Sequence, residues 1–183
     1  MQKLRDGSFG KRWSVGKNEN PTLDRAYSDI AAYQRFTLTK LFEGVGNFWG
    51  HNFDQGTILK KKHFFLKIFL LGSVIIFVFE KVQQINSIRI SSGGDHPNDV
   101  IPASSEISIA KSGQTFDKSE NADFYKDEYF QTIGLVGSDG NFEKSFSTAT
   151  GDTIAVRIKM ASKTKYWIWI YDIYIETILE TKL

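Results

Sequence analysis

The chain has 183 residues, a formal net charge of +2 and 41% hydrophobic residues, enough for one domain of moderate size and an anchoring segment. It contains no cysteine, which excludes disulfide bonds, thiolate metal sites and cysteine nucleophiles. The charge is unevenly placed, with 11 Lys/Arg against 6 Asp/Glu before Phe64 and 11 against 15 from Glu80 onward.

Residues 1–21 form a polar, basic stretch with single aromatic residues at Phe9 and Trp13. The stretch has no sustained apolar period, so we expect an extended arm. Such an arm could stay solvated, contact anionic lipid headgroups or lie in a groove of a larger assembly. We favour the groove, with Trp13 as a partner contact. The basic charge is too sparse to indicate nucleic-acid binding.

Residues 22–56 are predicted to form an amphipathic helix, Thr22 to Glu43, followed by an aromatic loop. Thr22 is a suitable N-cap, and Gly44 and Gly46 would end the helix. The apolar stripe has helical spacing; it consists of Leu23, Tyr27, Ile30, Leu38 and Leu41. We predict that Tyr27 and Ile30 contact a partner, because little else on this side could cover them. Trp49 in the loop is predicted to anchor the chain at the headgroup level.

The stretch from Phe64 to Phe79 carries a single charge, Lys67, and is the most apolar part of the chain. With its flanks it approaches the roughly 20 residues that a membrane helix needs, so we predict one transmembrane helix over 57–86. The predicted membrane-facing residues are Phe64, Leu66, Phe69, Leu70, Val74, Ile76 and Phe79, and the predicted interfacial anchors are Lys60, Lys61 and Lys62 together with Trp49. The alternative is a buried helix or strand of a soluble protein, which the many β-branched and aromatic residues keep open.

The basic flank before the span predicts that the N-terminus stays on the matrix or cytoplasmic side, because positive charge resists translocation. Residues 87–105 have the Ser, Gly, Asp and Pro content of a linker. Residues 106–183 are predicted to form a small antiparallel β domain. Its strands are predicted at Glu106–Ala110, Tyr129–Val136, Asn141–Phe146, Thr153–Met160 and Tyr166–Thr177, with 161–165 as a hairpin between the last two.

The last predicted strand is unusual because apolar residues occupy both of its faces. This pattern is typical of a central strand, or of a strand whose second face is covered by a partner. We therefore predict Trp167, Trp169 and Tyr171 as further partner contacts.

Motifs for catalysis are absent from the sequence. It has no phosphate-binding loop, dinucleotide fingerprint, metalloprotease helix or nucleophile elbow. Asp95, His96 and Asp99 form the densest group of possible metal ligands, but turns have this composition for backbone reasons alone. We expect no enzymatic activity, no metal and no cofactor, apart from bound lipid.

The order of these elements predicts an α+β membrane protein with a basic arm, an amphipathic helix, one span and a β domain. It resembles the single-span accessory subunits of large energy-transducing membrane complexes, such as mitochondrial respiratory or ATP synthase assemblies. The resemblance implies a structural subunit of the mitochondrial inner membrane that contacts neighbouring subunits and lipids on both faces. The alternative is a membrane-anchored module whose β domain binds a sugar, peptide or protein in a periplasm or outside the cell.

Overall fold

The computed structural model describes residues 20–29, 31–32, 38–42, 48–51, 72–93, 98–112, 121–162 and 167–178. Within these ranges the chain forms two five-stranded antiparallel sheets. The first sheet contains, in spatial order, β1 (Leu23–Ser28), β4 (Val74–Gln83), β9 (Thr153–Lys159), β6 (Glu106–Lys111) and β7 (Phe130–Leu135). The second contains β2 (Ala31–Ala32), β3 (Phe48–His51), β10 (Trp167–Thr177), β5 (Ile85–Ser92) and β8 (Phe142–Ser145).

The two sheets pack face to face around one apolar core. Alternate residues of β4, namely Ile75, Phe77 and Phe79, point to this core, and Ile88 and Ile90 of β5 meet them from the second sheet. Successive side chains of a strand point to opposite faces, so this alternation gives each sheet one inner face. A short helix, α1 (Leu38–Phe42), adds to the core, with the ring of Phe42 stacked 5.1 Å from that of Phe77.

The outer face of the first sheet is also covered. Two 3-10 helices, Asn121–Tyr125 and Asp127–Tyr129, make up a covering segment (residues 121–129) that lies against it. Phe124 and Tyr125 of this segment pack on the outward-pointing residues of the sheet, forming a second apolar cluster that includes Val74, Ile76, Val78, Ala110 and Ala155. The sandwich therefore has three layers at this point, and β4 lies in the middle one.

A buried arginine joins the covering segment to the sheet. The guanidinium of Arg157 in β9 is fully buried and donates to Asp127 at 2.9 Å and to Glu106 at 3.1 Å. Lys159 makes a further ion pair with Asp127 at 2.6 Å. Burial alone would raise the pKa of Asp127, but the hydrogen bond from Lys159 and the charge of Arg157 outweigh it and lower that pKa.

The predicted transmembrane helix is wrong. Residues 74–83 of the predicted span form β4, and residues 85–86 begin β5. Val74, Ile76 and Phe79 are buried because protein, not lipid, covers both faces of β4. Among the described residues, no helix combines the length and apolarity needed to cross a membrane. The remaining predicted span and anchor residues, Phe64, Leu66, Phe69, Leu70, Lys60, Lys61 and Lys62, lie outside the described residues.

The α+β fold class is therefore also wrong, and so are the membrane orientation and the inner-membrane localisation that depended on the span. The predicted helix from Thr22 to Glu43 begins instead with strand β1, which pairs with β4 from Leu23 opposite Phe79 to Ser28 opposite Ile75. Of the described residues in that region, only Leu38–Phe42 are helical. Cross-strand pairing with a buried strand outweighs a weak local preference for helix. The predicted linker 87–105 begins with most of β5, which pairs with both β10 and β8.

The five strands predicted after residue 105 are present, each within one residue of the predicted bounds. The predicted hairpin at 161–165 is wrong, because β9 and β10 belong to different sheets. The chain passes from one sheet to the other at this point, so the two strands face each other across the core and do not pair.

Candidate functional site

The end of the sandwich at which β4 begins is called here the lower end. Strand directions place three described segments there: residues 98–105 after β5, the turn at 136–141 between β7 and β8, and the start of β10. Loops at the end of a β-sandwich are free to carry binding residues, because the paired strands beneath them supply the rigidity.

The turn between β7 and β8 presents a carboxylate. Gly140 donates to the carbonyl of Gly137 at 3.0 Å, and Gly137 donates to the carbonyl of Asn141 at 2.9 Å. The exposed Asp139 carboxylate accepts from the side-chain amide of Asn141 at 2.8 Å and from its backbone N–H at 3.0 Å. These two hydrogen bonds, the side-chain bond first, lower the pKa of Asp139. Asp139 is therefore an ionised acceptor over a wide pH range.

Strand β10 carries aromatic residues past this turn. A register shift between Ile170 and Asp172 makes Tyr171 the extra residue of a β-bulge. Tyr171 is half-buried, and burial raises its pKa, while its hydroxyl shares a hydrogen bond with Ser91. The charges of Asp172 and Asp139 also raise that pKa.

Trp169 lies two residues before the bulge. Ile168 and Ile170 point into the core, so Trp169 points to the outer face of the second sheet, where it is half-buried. Its backbone is fixed on both sides of the strand end: its carbonyl accepts from Gly93 at 2.8 Å and its N–H donates to the carbonyl of Asp99 at 3.2 Å.

Charged groups continue this face toward the middle of the sheet. The guanidinium of Arg89 in β5 lies 5.4 Å from the centre of the Tyr174 ring and 3.9 Å from the carboxylate of Asp172. Glu143 of β8 is the register partner of Arg89 on its other side. We name the surface formed by Trp169, Tyr171, Tyr174, Arg89, Asp172 and Asp139 the aromatic face.

The aromatic face combines two kinds of contact. Half-buried aromatic rings expose apolar surface, which can pack against the C–H groups of a ligand without a hydrogen bond. The exposed Asp139 carboxylate and the Arg89 guanidinium can form charge-assisted hydrogen bonds, which are about twice as strong as neutral ones. A ligand with an apolar ring face and several hydroxyl groups would use both. In the ranges that the structure covers, no group of three His, Asp or Glu side chains could hold a metal ion.

The residues predicted as partner contacts are dispersed. Trp169 and Tyr171 belong to the aromatic face, whereas Tyr27 lies on the first sheet, with its hydroxyl 3.1 Å from that of Tyr125. Trp167 lies at the start of β10, and Trp49 in β3 is the register partner of Trp169. Trp13 and Ile30 lie outside the described residues.

Sequence reasoning did not predict Arg89, Tyr174 or Asp139 as contact residues. Ser87 to Ser91 alternates polar and apolar residues, a signal that would have placed Arg89 on a strand, though not next to β10. Asp139 carries no signal of its own, because its importance depends on which strand the turn lies beside.

No protein-family model matches this sequence, and no curated protein is significantly similar to it in sequence. Solved structures match the fold. The lectin domain of lectinolysin, solved with the Lewis B antigen, superposes with a TM-score of 0.56 at 8% identity, over 90% of this chain and 100% of that domain.

Two carbohydrate-binding modules of Clostridium perfringens are also similar. The family 32 module of NanJ, solved with galactose, gives a TM-score of 0.52 at 10% identity, over 82% of this chain and 91% of that one. A family 32 module of a family 31 glycoside hydrolase gives 0.50 at 10% identity, over 86% and 97% of the two chains.

At these identities the comparison shows the fold, a β-sandwich of the kind found in these lectin-type modules. The predicted role as a single-span accessory subunit of a mitochondrial complex is therefore wrong. The expectation of neighbouring membrane subunits as partners loses its basis together with the span.

Proposed function

We propose that this β-sandwich is a non-catalytic glycan-binding module and that the aromatic face at its lower end holds the sugar. The observation that carries the proposal is that Trp169 and Tyr171 flank Ile170, the register partner of Ser92, and that Ser92 is hydrogen-bonded to the turn that carries Asp139. Fold alone does not determine function, so the chemistry of this face has to support the assignment.

The physical match to a sugar has two parts. A pyranose has C–H groups on its ring faces and hydroxyl groups around its rim. Half-buried rings such as those of Trp169 and Tyr171 contact the C–H groups, and Asp139 accepts hydrogen bonds from the hydroxyl groups. The similar structures support the proposal, since two of them were solved with galactose and with the Lewis B antigen.

The test begins with the full chain on a glycan array. Titration calorimetry then follows with galactose, N-acetylgalactosamine and the Lewis b oligosaccharide as probes. We expect Tyr171→Ala to weaken binding at least tenfold, about 1.4 kcal/mol. We expect Tyr171→Phe, which keeps the ring, to weaken it less.

Two matched controls are available in the same chain. Tyr129→Ala removes a half-buried tyrosine of the covering segment, and Asp152→Asn neutralises an exposed aspartate at the opposite end of the sandwich. Both should leave affinity unchanged. Absence of any bound glycan, or equal losses in Tyr129→Ala and Tyr171→Ala, would overturn the proposal.

A further inference from the structure

Ser92, the last residue of β5, bonds to two of the segments that meet at the lower end. Its side chain is 4% exposed, and its hydroxyl donates to the carbonyl of Gly140 at 2.5 Å. The same oxygen accepts from the N–H of Ile101 at 2.9 Å. The backbone N–H of Ser92 donates to the side-chain oxygen of Asn141 at 3.0 Å. One residue thus joins β5, the segment 98–105 and the turn 136–141.

The turn fits closely against this residue. Gly140 has a φ of +79°, which favours glycine, and a Cβ added there would lie 2.7 Å from the Ser92 hydroxyl and 2.5 Å from Cβ of Val100. The backbone of Gly140 therefore lies directly on both neighbouring segments, and the turn can hardly shift without breaking a contact to Ser92.

Ser92 is also connected to the candidate ligand contact. The amide of Asn141 accepts from Ser92 with its oxygen and donates to the Asp139 carboxylate with its nitrogen, at 2.8 Å. A single side chain thus links the end of β5 to the orientation of Asp139.

We propose that Ser92 is a positioning residue of the aromatic face: it holds the turn 136–141 so that the Asp139 carboxylate keeps the position that a glycan bound to this face requires. This inference rests on the proposed function. Ser92 need not touch the ligand, because its hydrogen bonds act on the backbone and on Asn141.

The central variant is Ser92→Ala. It removes the hydroxyl and with it the hydrogen bonds to the N–H of Ile101 and to the carbonyl of Gly140. The matched control is Ser105→Ala. Ser105 is equally buried at the lower end, but its hydroxyl bonds to the N–H of Ala161 at 3.1 Å and to the Met160 sulfur, away from the turn. Asn141→Ala breaks the link to Asp139 without changing the hydroxyl bonds, and serves if Ser92→Ala fails to fold.

Two measurements on the full chain are compared. Amide hydrogen exchange reports the turn without any ligand, and we expect Ser92→Ala to accelerate exchange at Gly140 and Ile101 at least tenfold, with Ser105→Ala unchanged there. Affinity for the best array glycan should fall by a similar factor in Ser92→Ala and Asn141→Ala. In Asn141→Ala the acid limb of binding should also move to higher pH, because Asp139 loses the side-chain hydrogen bond that contributes most to its lowered pKa.

The outcomes separate the two claims. Unchanged exchange at Gly140 in Ser92→Ala, faster exchange there with unaltered affinity, or an unmoved acid limb in Asn141→Ala would overturn the positioning role. Failure of the unmodified chain to bind any glycan would overturn the proposed function instead, even if the turn loosens as expected.

Discussion

The carboxylate of Asp29 accepts a hydrogen bond from the backbone N–H of Val74 at 2.9 Å, joining the end of β1 to the start of β4. Tyr125 of the covering segment and Ser73 also bond to this carboxylate. Burial, the largest influence, raises the pKa of Asp29 to about 6, although these hydrogen bonds oppose the shift.

The raised pKa of Asp29 predicts that stability falls as pH rises. The folded chain holds this proton more tightly than the unfolded chain, whose pKa is near 3.8. The stabilisation is therefore fully present below that value and is lost as pH rises through about 6, by roughly 2 to 3 kcal/mol. Urea unfolding from pH 4 to pH 8 measures it. Asp29→Asn mimics the protonated form, so its free energy of unfolding relative to the unmodified chain should rise with pH. A constant difference would contradict the assignment.

Replacing Arg157 should destabilise the chain strongly. Arg157→Met removes the guanidinium that contacts Glu106 and the carbonyl of Phe124, and among the described residues it leaves Lys159 as the remaining ion-pair partner of Asp127. A hydrogen bond from the buried guanidinium to a charged partner is worth about 1.5 to 3 kcal/mol, and the variant also breaks the bond to the Phe124 carbonyl, whereas a surface pair is worth about 0 to 1 kcal/mol. Thermal unfolding should show a large loss for Arg157→Met and a small one for Lys159→Met. Similar losses for both variants would mean that Arg157 is not the main attachment.

Truncating Phe124 should loosen the covering segment. The side chain is fully buried against the first sheet, with the Tyr27 ring centre 5.2 Å and the Arg25 guanidinium 4.9 Å from its own ring. Phe124→Ala is expected to cost about 3 to 5 kcal/mol through lost burial and the cavity left behind. Hydrogen exchange should rise first in residues 123–130. Uniform acceleration across both sheets would show that this segment does not open independently.

The charge of Asp139 should favour neutral glycans over acidic ones. An ionised carboxylate on the ligand would meet that of Asp139, at a cost of about 1 kcal/mol at 4 Å in water. Array binding should therefore be weak for sialylated and uronic-acid glycans. In Asp139→Asn the preference for neutral over acidic glycans should shrink about fivefold, and Asp152→Asn should not change it. An unaltered preference in Asp139→Asn would place the ligand elsewhere.

Sequence reasoning located the strands after residue 105 because several of them alternate polar and apolar residues. In β9, Ile154 to Lys159 alternates enough to be read as a strand, although Arg157 on its polar face is fully buried under the covering segment. Strand β4 gives no such signal, since Phe124 and Tyr125 cover the face that would otherwise be polar, and they lie more than forty residues away in the chain. A run that is apolar on every side fits a buried strand and a membrane helix equally well. Here the length of the apolar run, close to that of a membrane helix, favoured the wrong choice.

The candidate site was accessible to sequence reasoning only in part. Trp169 and Tyr171 stood out because their strand is aromatic on both faces, and their role as contacts stays a prediction. Arg89 and Asp139 did not stand out in the sequence. They lie on the same face as Trp169 and Tyr171 only because the strands are ordered β10-β5-β8 and because the chain turns at Gly140. That order depends on pairing between distant segments, which no local pattern encodes.

The double cover of β4 has a consequence for the unfolded chain. Residues 74–79, Val-Ile-Ile-Phe-Val-Phe, combine high β-propensity with no charge and no proline, the composition of a segment that stacks into amyloid fibrils. In the native sandwich β1 and β9 occupy both of its edges. Any variant that frees this strand, by detaching β1 or lifting residues 121–129, should therefore form thioflavin-positive aggregates before it loses the rest of its sheets.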